Sequence, residues 1–249
     1  MGAPTDSSRD NLEQENLAGR ISVTGNTVID ALKQTVERID QDATLRTSID
    51  AHFPFLESQR KLLLVTGHRR ENFGGGFENI CRALAELALR DDLQIVYPVH
   101  LNPNVQGPVH AHLGGLDNVH LIPPQDYLSF VRLMQRAHVV LTDSGGVQEE
   151  APALGRPVLV MRDVTERPEA VQAGVVRLVG TDPARIVAAV HDACNGPRVA
   201  AHFIADASPY GDGRASARIV AALRGEPFDE FVAAHAAPLS QSSLSEVTP

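Results

Sequence analysis

From residue 61 onward, short runs rich in branched apolar residues alternate with amphipathic segments, and that alternation constrains the fold more than any other feature. Residues 62–66, 94–98, 119–122, 138–141, 157–160 and 175–178 read as buried strands, being short, apolar and bounded by turn residues. Between them, 77–89, 127–136 and 183–194 have helical spacing, 104–113 does so weakly, and 148–154 reads as one short helix. In 77–89 the residues Ile80, Leu84, Leu87 and Ala88 share a face, and Thr181/Asp182 supply caps before 183–194. Strand–helix alternation of this kind predicts an α/β fold, a parallel sheet with right-handed crossovers and helices on its faces.

The flanks are less regular. Residues 1–10 are polar and are expected to be loose, with a short helix at 11–17, a strand at 20–23 and a turn at 24–26. Helical spacing returns at 27–39 through Val28, Leu32, Val36 and Ile39, whereas 41–58 lacks clean periodicity. The chain therefore divides into a lead-in of 1–58, a main domain of 59–224 and a tail of 225–249, whose Ser-rich end, 239–249, is expected to be disordered.

Bulk properties exclude some functions. A net charge of −9 argues against general binding to nucleic acid or anionic membrane, so an anionic ligand needs a local cationic cluster. His68-Arg69-Arg70 and Arg162/Arg167 are such clusters. Two isolated cysteines, Cys81 and Cys194, fit a reducing, cytoplasmic setting, and no signal peptide or bilayer-length apolar run is expected. No strand is followed by G-x-G-x-x-G, and G-x-x-x-x-G-K-[ST] does not occur, so neither a dinucleotide cofactor nor a P-loop nucleotide is indicated.

The stretch Thr142-Asp143-Ser144-Gly145-Gly146-Val147-Gln148-Glu149-Glu150 carries the chemistry. A strand runs into a Ser-Gly-Gly turn, with Ser144 at a helix N-cap and Gly155 at the helix end. Helix N-termini offer unpaired N–H groups and partial positive charge, so such a turn can hold a phosphate. Many strand–helix turns of this composition bind nothing, and Glu149 and Glu150 also suit a helix dipole; both readings stand on the turn alone. The charged loop 161–170 lies just past the next strand, at the sheet edge where open parallel sheets bind ligands. His68 ends another strand at that edge, placed either to bond a phosphate and move a proton or merely to satisfy nearby backbone. Arg69 and Arg70 suit the same anion, or ion pairs with Glu71 and Glu78. His110 and His112 form an H-x-H pair on a helical segment, where positions two apart do not share a face, so no metal is expected.

Residues 142–170 closely resemble the signature of the non-hydrolysing bacterial UDP-N-acetylglucosamine 2-epimerases. Gly67-His68-Arg69-Arg70-Glu71-Asn72-Phe73-Gly74, Val23-Thr24-Gly25-Asn26-Thr27-Val28-Ile29-Asp30 and Pro209-Tyr210-Gly211-Asp212-Gly213 are similar to three more of the family's motifs, in its order and spacing. The resemblance implies a Rossmann-like domain of GT-B type, the C-terminal one of two, with the N-terminal domain outside this chain. It implies that UDP-N-acetylglucosamine or UDP binds without any cofactor, and that the full-length proteins are homodimers. It makes His68 the active-site histidine near the diphosphate. Ser144, Gly145 and Gly146 become the diphosphate cradle, Glu150 the acceptor of the ribose hydroxyls, Arg167 a cleft arginine and Phe130 an aromatic near the uridine. From spacing alone Phe130 is equally a core residue of its helix. In some members a histidine and an arginine matching His100 and Arg69 contact a second UDP-N-acetylglucosamine that acts as an activator. The implied activity is interconversion of UDP-N-acetylglucosamine and UDP-N-acetylmannosamine. A GT-B glycosyltransferase half and a non-catalytic UDP-sugar-binding fragment are the alternatives.

Overall fold

The computed structural model describes residues 1–16, 19–195 and 208–233. Six strands, β3 (Lys61–Thr66), β4 (Leu93–Pro98), β5 (Val119–Ile122), β6 (Val139–Thr142), β7 (Val158–Val160) and β8 (Val176–Leu178), form one parallel sheet in the order β5-β4-β3-β6-β7-β8. The expected α/β fold with a parallel sheet is therefore present, and its strands fall where the apolar runs placed them. The strand order reverses between β3 and β6, so the loops leaving those two strands diverge and open a crevice at their carboxyl ends.

Each face of the sheet is covered, which is why its strands are mostly apolar. Helices α4 (Gly75–Leu87), α5 (Pro103–Leu113) and α9 (Pro183–Asn195) bury one face around Phe77, Ile80, Tyr97, Val109 and Ile186. The other face meets α2 (Thr27–Gln41), α3 (Ala43–Asp50), α6 (Tyr127–Arg136), α7 (Gly145–Ala153) and α8 (Pro168–Gln172), around Ile29, Leu32, Leu64, Val140 and Val160. Helices α2 and α3 thus belong to the main domain's core, although the sequence assigned them to the lead-in.

The N-terminal residues are ordered by pairing rather than loose. A two-residue strand β1 (Gly2–Ala3) lies parallel to β2 (Ser22–Val23), and between them α1 (Asp6–Gln14) starts earlier than the expected 11–17. Thr5 caps it, its hydroxyl accepting from Ser8 N at 3.2 Å. At the other end, the buried Asp30 carboxylate on α2 accepts from Ala215 N (3.1 Å) and Ser216 N (2.8 Å), capping α10 (Ala215–Arg224) from another helix. Of α10 only Ala215 is buried. Residues 225–233, read as the start of the tail, return across β2: Phe231 is buried, its N–H donates to Val23 O at 2.9 Å, and Arg218 lies over its ring. The rest of the tail, 234–249, lies outside the described residues.

One local expectation is corrected. Gly145 and Gly146 do not form a turn; they are the first residues of α7, which begins three positions before the expected Gln148. Neither has positive φ, so both backbones are helical. Gly155, with φ of 67°, does end the helix in the left-handed conformation.

Candidate functional site

The crevice between β3 and β6 is built around Asp143, which is fully buried at the end of β6. Its Oδ2 accepts from His68 N at 2.9 Å, Arg69 N at 2.8 Å and Asn72 Nδ2 at 3.3 Å, while Oδ1 accepts from His68 N at 3.2 Å. One carboxylate thereby fixes the loop after β3 against the strand next to it. Around it, the Thr66 and Thr142 hydroxyls meet at 2.6 Å, Ser144 N donates to Thr142 Oγ1 at 2.9 Å, and the buried Tyr97 hydroxyl donates to Gly67 O at 3.0 Å. A Cβ at 67 would meet that hydroxyl at 2.9 Å, so any side chain there would have to displace Tyr97.

Helix α7 points its N-terminus into this crevice. The first N–H groups of a helix have no partner within it, and they carry the positive end of its dipole. Ser144 is the N-cap, yet its hydroxyl makes no capping bond, which leaves it free to donate to a ligand. Charged groups crowd the same point: a Cβ at Gly145 would lie 3.2 Å from Glu166 Oε1, 3.5 Å from Arg69 Nη2 and 3.8 Å from Arg167 Nη2. Two guanidinium groups from different loops therefore converge on a helix N-terminus at the carboxyl edge of the sheet, a geometry suited to a phosphate or diphosphate.

The ion pairs differ from those the local sequence suggested. Arg69 Nη2 contacts Glu166 Oε1 at 2.9 Å, and Arg162 bridges Glu71 and Glu166. Burial disfavours the Glu166 charge, but its own backbone N–H, the Arg162 hydrogen bond and the Arg162 and Arg69 charges prevail and hold its carboxyl down to about 2. Arg167 is not a free fork: Nε is paired with Glu149 and Nη1 donates to Glu166 O at 3.2 Å, which leaves Nη2 toward the helix end. The expected bidentate clamp is thus half committed to the protein.

Farther along α7 stand two buried carboxylates. Glu149 accepts from Asn26 Nδ2 at 2.7 Å as well as from Arg167, and Glu150 Oε1 accepts from the Tyr127 hydroxyl at 2.6 Å. Burial pushes both carboxyls up, against the opposing effects of Arg167 and Asn26 on Glu149 and of Tyr127 on Glu150. Ahead of them, a cleft of about 250 Å³ is lined by His68, His100, Phe130, Ser144 and Val147 among others. Phe130 is half-buried, sharing in the core while presenting itself to the cleft. His68 and His100, from different strand ends, stack with ring centroids 5.4 Å apart and 16° between planes.

The structure therefore brings His68, His100, Phe130 and Ser144 into one cleft and places Arg69, Arg167 and Gly145 at its helix end; Glu150 lies one turn beyond Val147. Sequence reasoning did not assign Asp143, Tyr127 or Asn26. A carboxylate directly after a β-strand was the available signal for Asp143, and the Val23–Asp30 motif for Asn26; nothing local marked Tyr127. His110 and His112 lie exposed on α5, and among the described residues no group of three or more His, Cys, Asp or Glu could hold a metal ion. Among those residues no helix is long and apolar enough to cross a membrane.

The family model described as UDP-N-acetylglucosamine 2-epimerase matches residues 1–224. The Escherichia coli K12 UDP-N-acetylglucosamine 2-epimerase is 56% identical over 224 residues, which are 89% of this chain and 60% of that protein. The crystal structure of the Neisseria meningitidis enzyme bound to UDP-GlcNAc superposes with a TM-score of 0.84 at 46% identity, covering 90% of this chain and 61% of that one. The S. aureus MnaA–UDP co-structure gives 0.78 at 38% identity, covering 92% and 63%. This chain spans about 60% of the length of the curated relatives it matches. By sequence and by architecture, the chain belongs to the UDP-N-acetylglucosamine 2-epimerase family.

Proposed function

We propose that this chain supplies the UDP-binding half of a site that interconverts UDP-N-acetylglucosamine and UDP-N-acetylmannosamine. The observation that carries the proposal is the convergence of Arg69 and Arg167 on the N-terminus of α7 at Gly145. In the reaction the C2 proton is removed and the C1–O bond breaks, releasing UDP and leaving 2-acetamidoglucal. UDP then re-adds at C1 while a proton reaches C2 from the opposite face. Charge developing on the departing diphosphate is stabilised by the α7 N–H groups, the Ser144 hydroxyl and Arg167 Nη2. His68 stands where it can hydrogen-bond that diphosphate or carry a proton beside it. Glu150 receives the ribose hydroxyls, and Phe130 packs against the uracil. A second UDP-N-acetylglucosamine held by His100 and Arg69 would adjoin the first, because His100 stacks on His68.

The base that takes the C2 proton belongs to the other half of the cleft. The carboxylates named at the crevice have other roles here: Asp143 holds backbone, Glu149 and Glu166 pair with arginines, and Glu150, beside Tyr127, faces the ribose. A homodimer, a cytoplasmic setting and an N-terminal half facing this one complete the reading; the family resemblance supports them. A histidine acid–base contribution of about 10²–10⁴-fold is far from the ~10⁶-fold or more of a working enzyme. Proton NMR of UDP-N-acetylglucosamine in deuterated water tests the proposal. No loss of the C2 proton is expected with this chain alone, and exchange is expected once a relative's N-terminal half is added. Exchange by the chain alone would overturn the division of labour, and silence from the reconstituted pair would overturn the activity.

A further inference from the structure

Glu150 is only 7% exposed, and Tyr127, reaching from α6 to α7, is its hydrogen-bond partner. An ionised carboxylate has about four acceptor positions on two oxygens. Tyr127 occupies a position on Oε1, and among the described residues no hydrogen bond reaches Oε2. That oxygen is not sealed from solvent, so it is open to a donor from a ligand.

The placement fits a ribose. Tyr127 and Phe130 are three apart on α6, and Val147 and Glu150 three apart on α7, so each pair lies on one helix face. Phe130 and Val147 line the cleft, and the Tyr127–Glu150 contact lies one turn from them. The start of α6 is itself pinned: Asp126 accepts from Ser129 N at 3.0 Å and Ser129 Oγ at 2.9 Å, so Tyr127 projects from a fixed backbone. Its hydroxyl is positioned to choose one rotamer of Glu150 and to keep the carboxylate ionised against burial.

We propose that Tyr127 is a positioning residue that orients Glu150 toward a ribose diol, and that the pair selects ribonucleoside over 2′-deoxyribonucleoside diphosphates. The proposal rests on the reading of Glu150 as the ribose acceptor. Without the phenol, Glu150 can rotate or take up a proton, and the advantage of the 2′-hydroxyl falls.

Calorimetric titration of UDP, 2′-deoxy-UDP and pyrophosphate into the wild-type chain, Tyr127→Phe and Glu150→Ala tests this. The wild-type chain should prefer UDP over 2′-deoxy-UDP by on the order of 10-fold, as for one charge-assisted hydrogen bond. Tyr127→Phe should bring that preference to within about 3-fold while pyrophosphate binding is unchanged, a pattern that general loosening of the fold would not produce. Thermal melts confirm that the variants fold; should Tyr127→Phe fail to do so, Tyr127→Leu, which also lacks a donor, replaces it under the same criterion. An unchanged UDP to 2′-deoxy-UDP ratio in the Tyr127 variant, with a narrowed ratio in Glu150→Ala, would overturn the role of Tyr127 alone. Equal losses for all three ligands in Glu150→Ala would overturn the ribose reading and this inference with it.

Discussion

Replacing Asp143 with alanine should damage fold and site together. The carboxylate is fully buried and accepts two short backbone bonds, from His68 N at 2.9 Å and Arg69 N at 2.8 Å, plus the Asn72 amide at 3.3 Å. Hydrogen bonds to a charged acceptor are worth roughly 1.5–3 kcal/mol each, so the two backbone bonds set an upper range of about 3–6 kcal/mol. Side-chain exposure of 43% at His68 and 35% at Arg69 lets water reach part of the freed loop, which lowers the expected loss to about 3–4 kcal/mol. Domains of this kind have roughly 5–15 kcal/mol in total, so the variant should fold but unfold at markedly lower urea. Asp143→Asn keeps one acceptor oxygen and should lose about half as much. Urea melts followed by circular dichroism, with UDP titrations of the folded variants, measure both effects. A loss under about 1 kcal/mol for alanine, or full UDP affinity in that variant, would refute the assignment of Asp143 as the group that shapes the crevice.

Three further outcomes are expected. Arg167→Ala leaves Glu149 buried without its cation and should destabilise the chain more than Arg167→Ala/Glu149→Gln does; additive effects in the double-mutant cycle would contradict the pair. Glu166 has a depressed carboxyl, so its stabilising contribution is full above the unfolded carboxylate range and is lost as pH falls toward about 2. Glu166→Gln should therefore flatten the acid limb of the stability curve, and an unchanged limb would remove the ion network from the account. Because α10 buries only Ala215, amides from Ile219 onward should exchange faster than those of β6, and equal protection would mean that α10 is packed along its length.

The central sheet was legible because its inner strands are buried on both faces and read as compact apolar runs, while the edge strands β5 and β8 keep the pattern despite His120 and Arg177. Helix α3 was not, since it buries only Ile49 and shows no stripe, and α1 buries nothing at all. Their caps, Asp42 and Thr5, were the readable signals. The start of α7 was misplaced because Gly145-Gly146 suggests a turn, whereas glycine with negative φ continues a helix; at 145 it leaves room for the Glu166, Arg69 and Arg167 side-chain ends beside it. The site's polar wiring is long-range. Asp143 meets His68 from 75 positions away, and Arg69 meets Glu166 from 97, so spacing along the chain carries no trace of either. Local logic paired Arg69 with nearby glutamates; the parallel sheet, by juxtaposing the loops after β3 and β7, chose otherwise.

Nitrogen–proton correlation spectra of the labelled chain, recorded while UDP is added, test the account most directly. The largest shifts should fall on the amides of Gly145, Gly146 and Val147, with further shifts at His68 and around Phe130. No shifts at millimolar UDP, or shifts centred away from the start of α7, would contradict the claim that this half of the molecule holds the nucleotide diphosphate there.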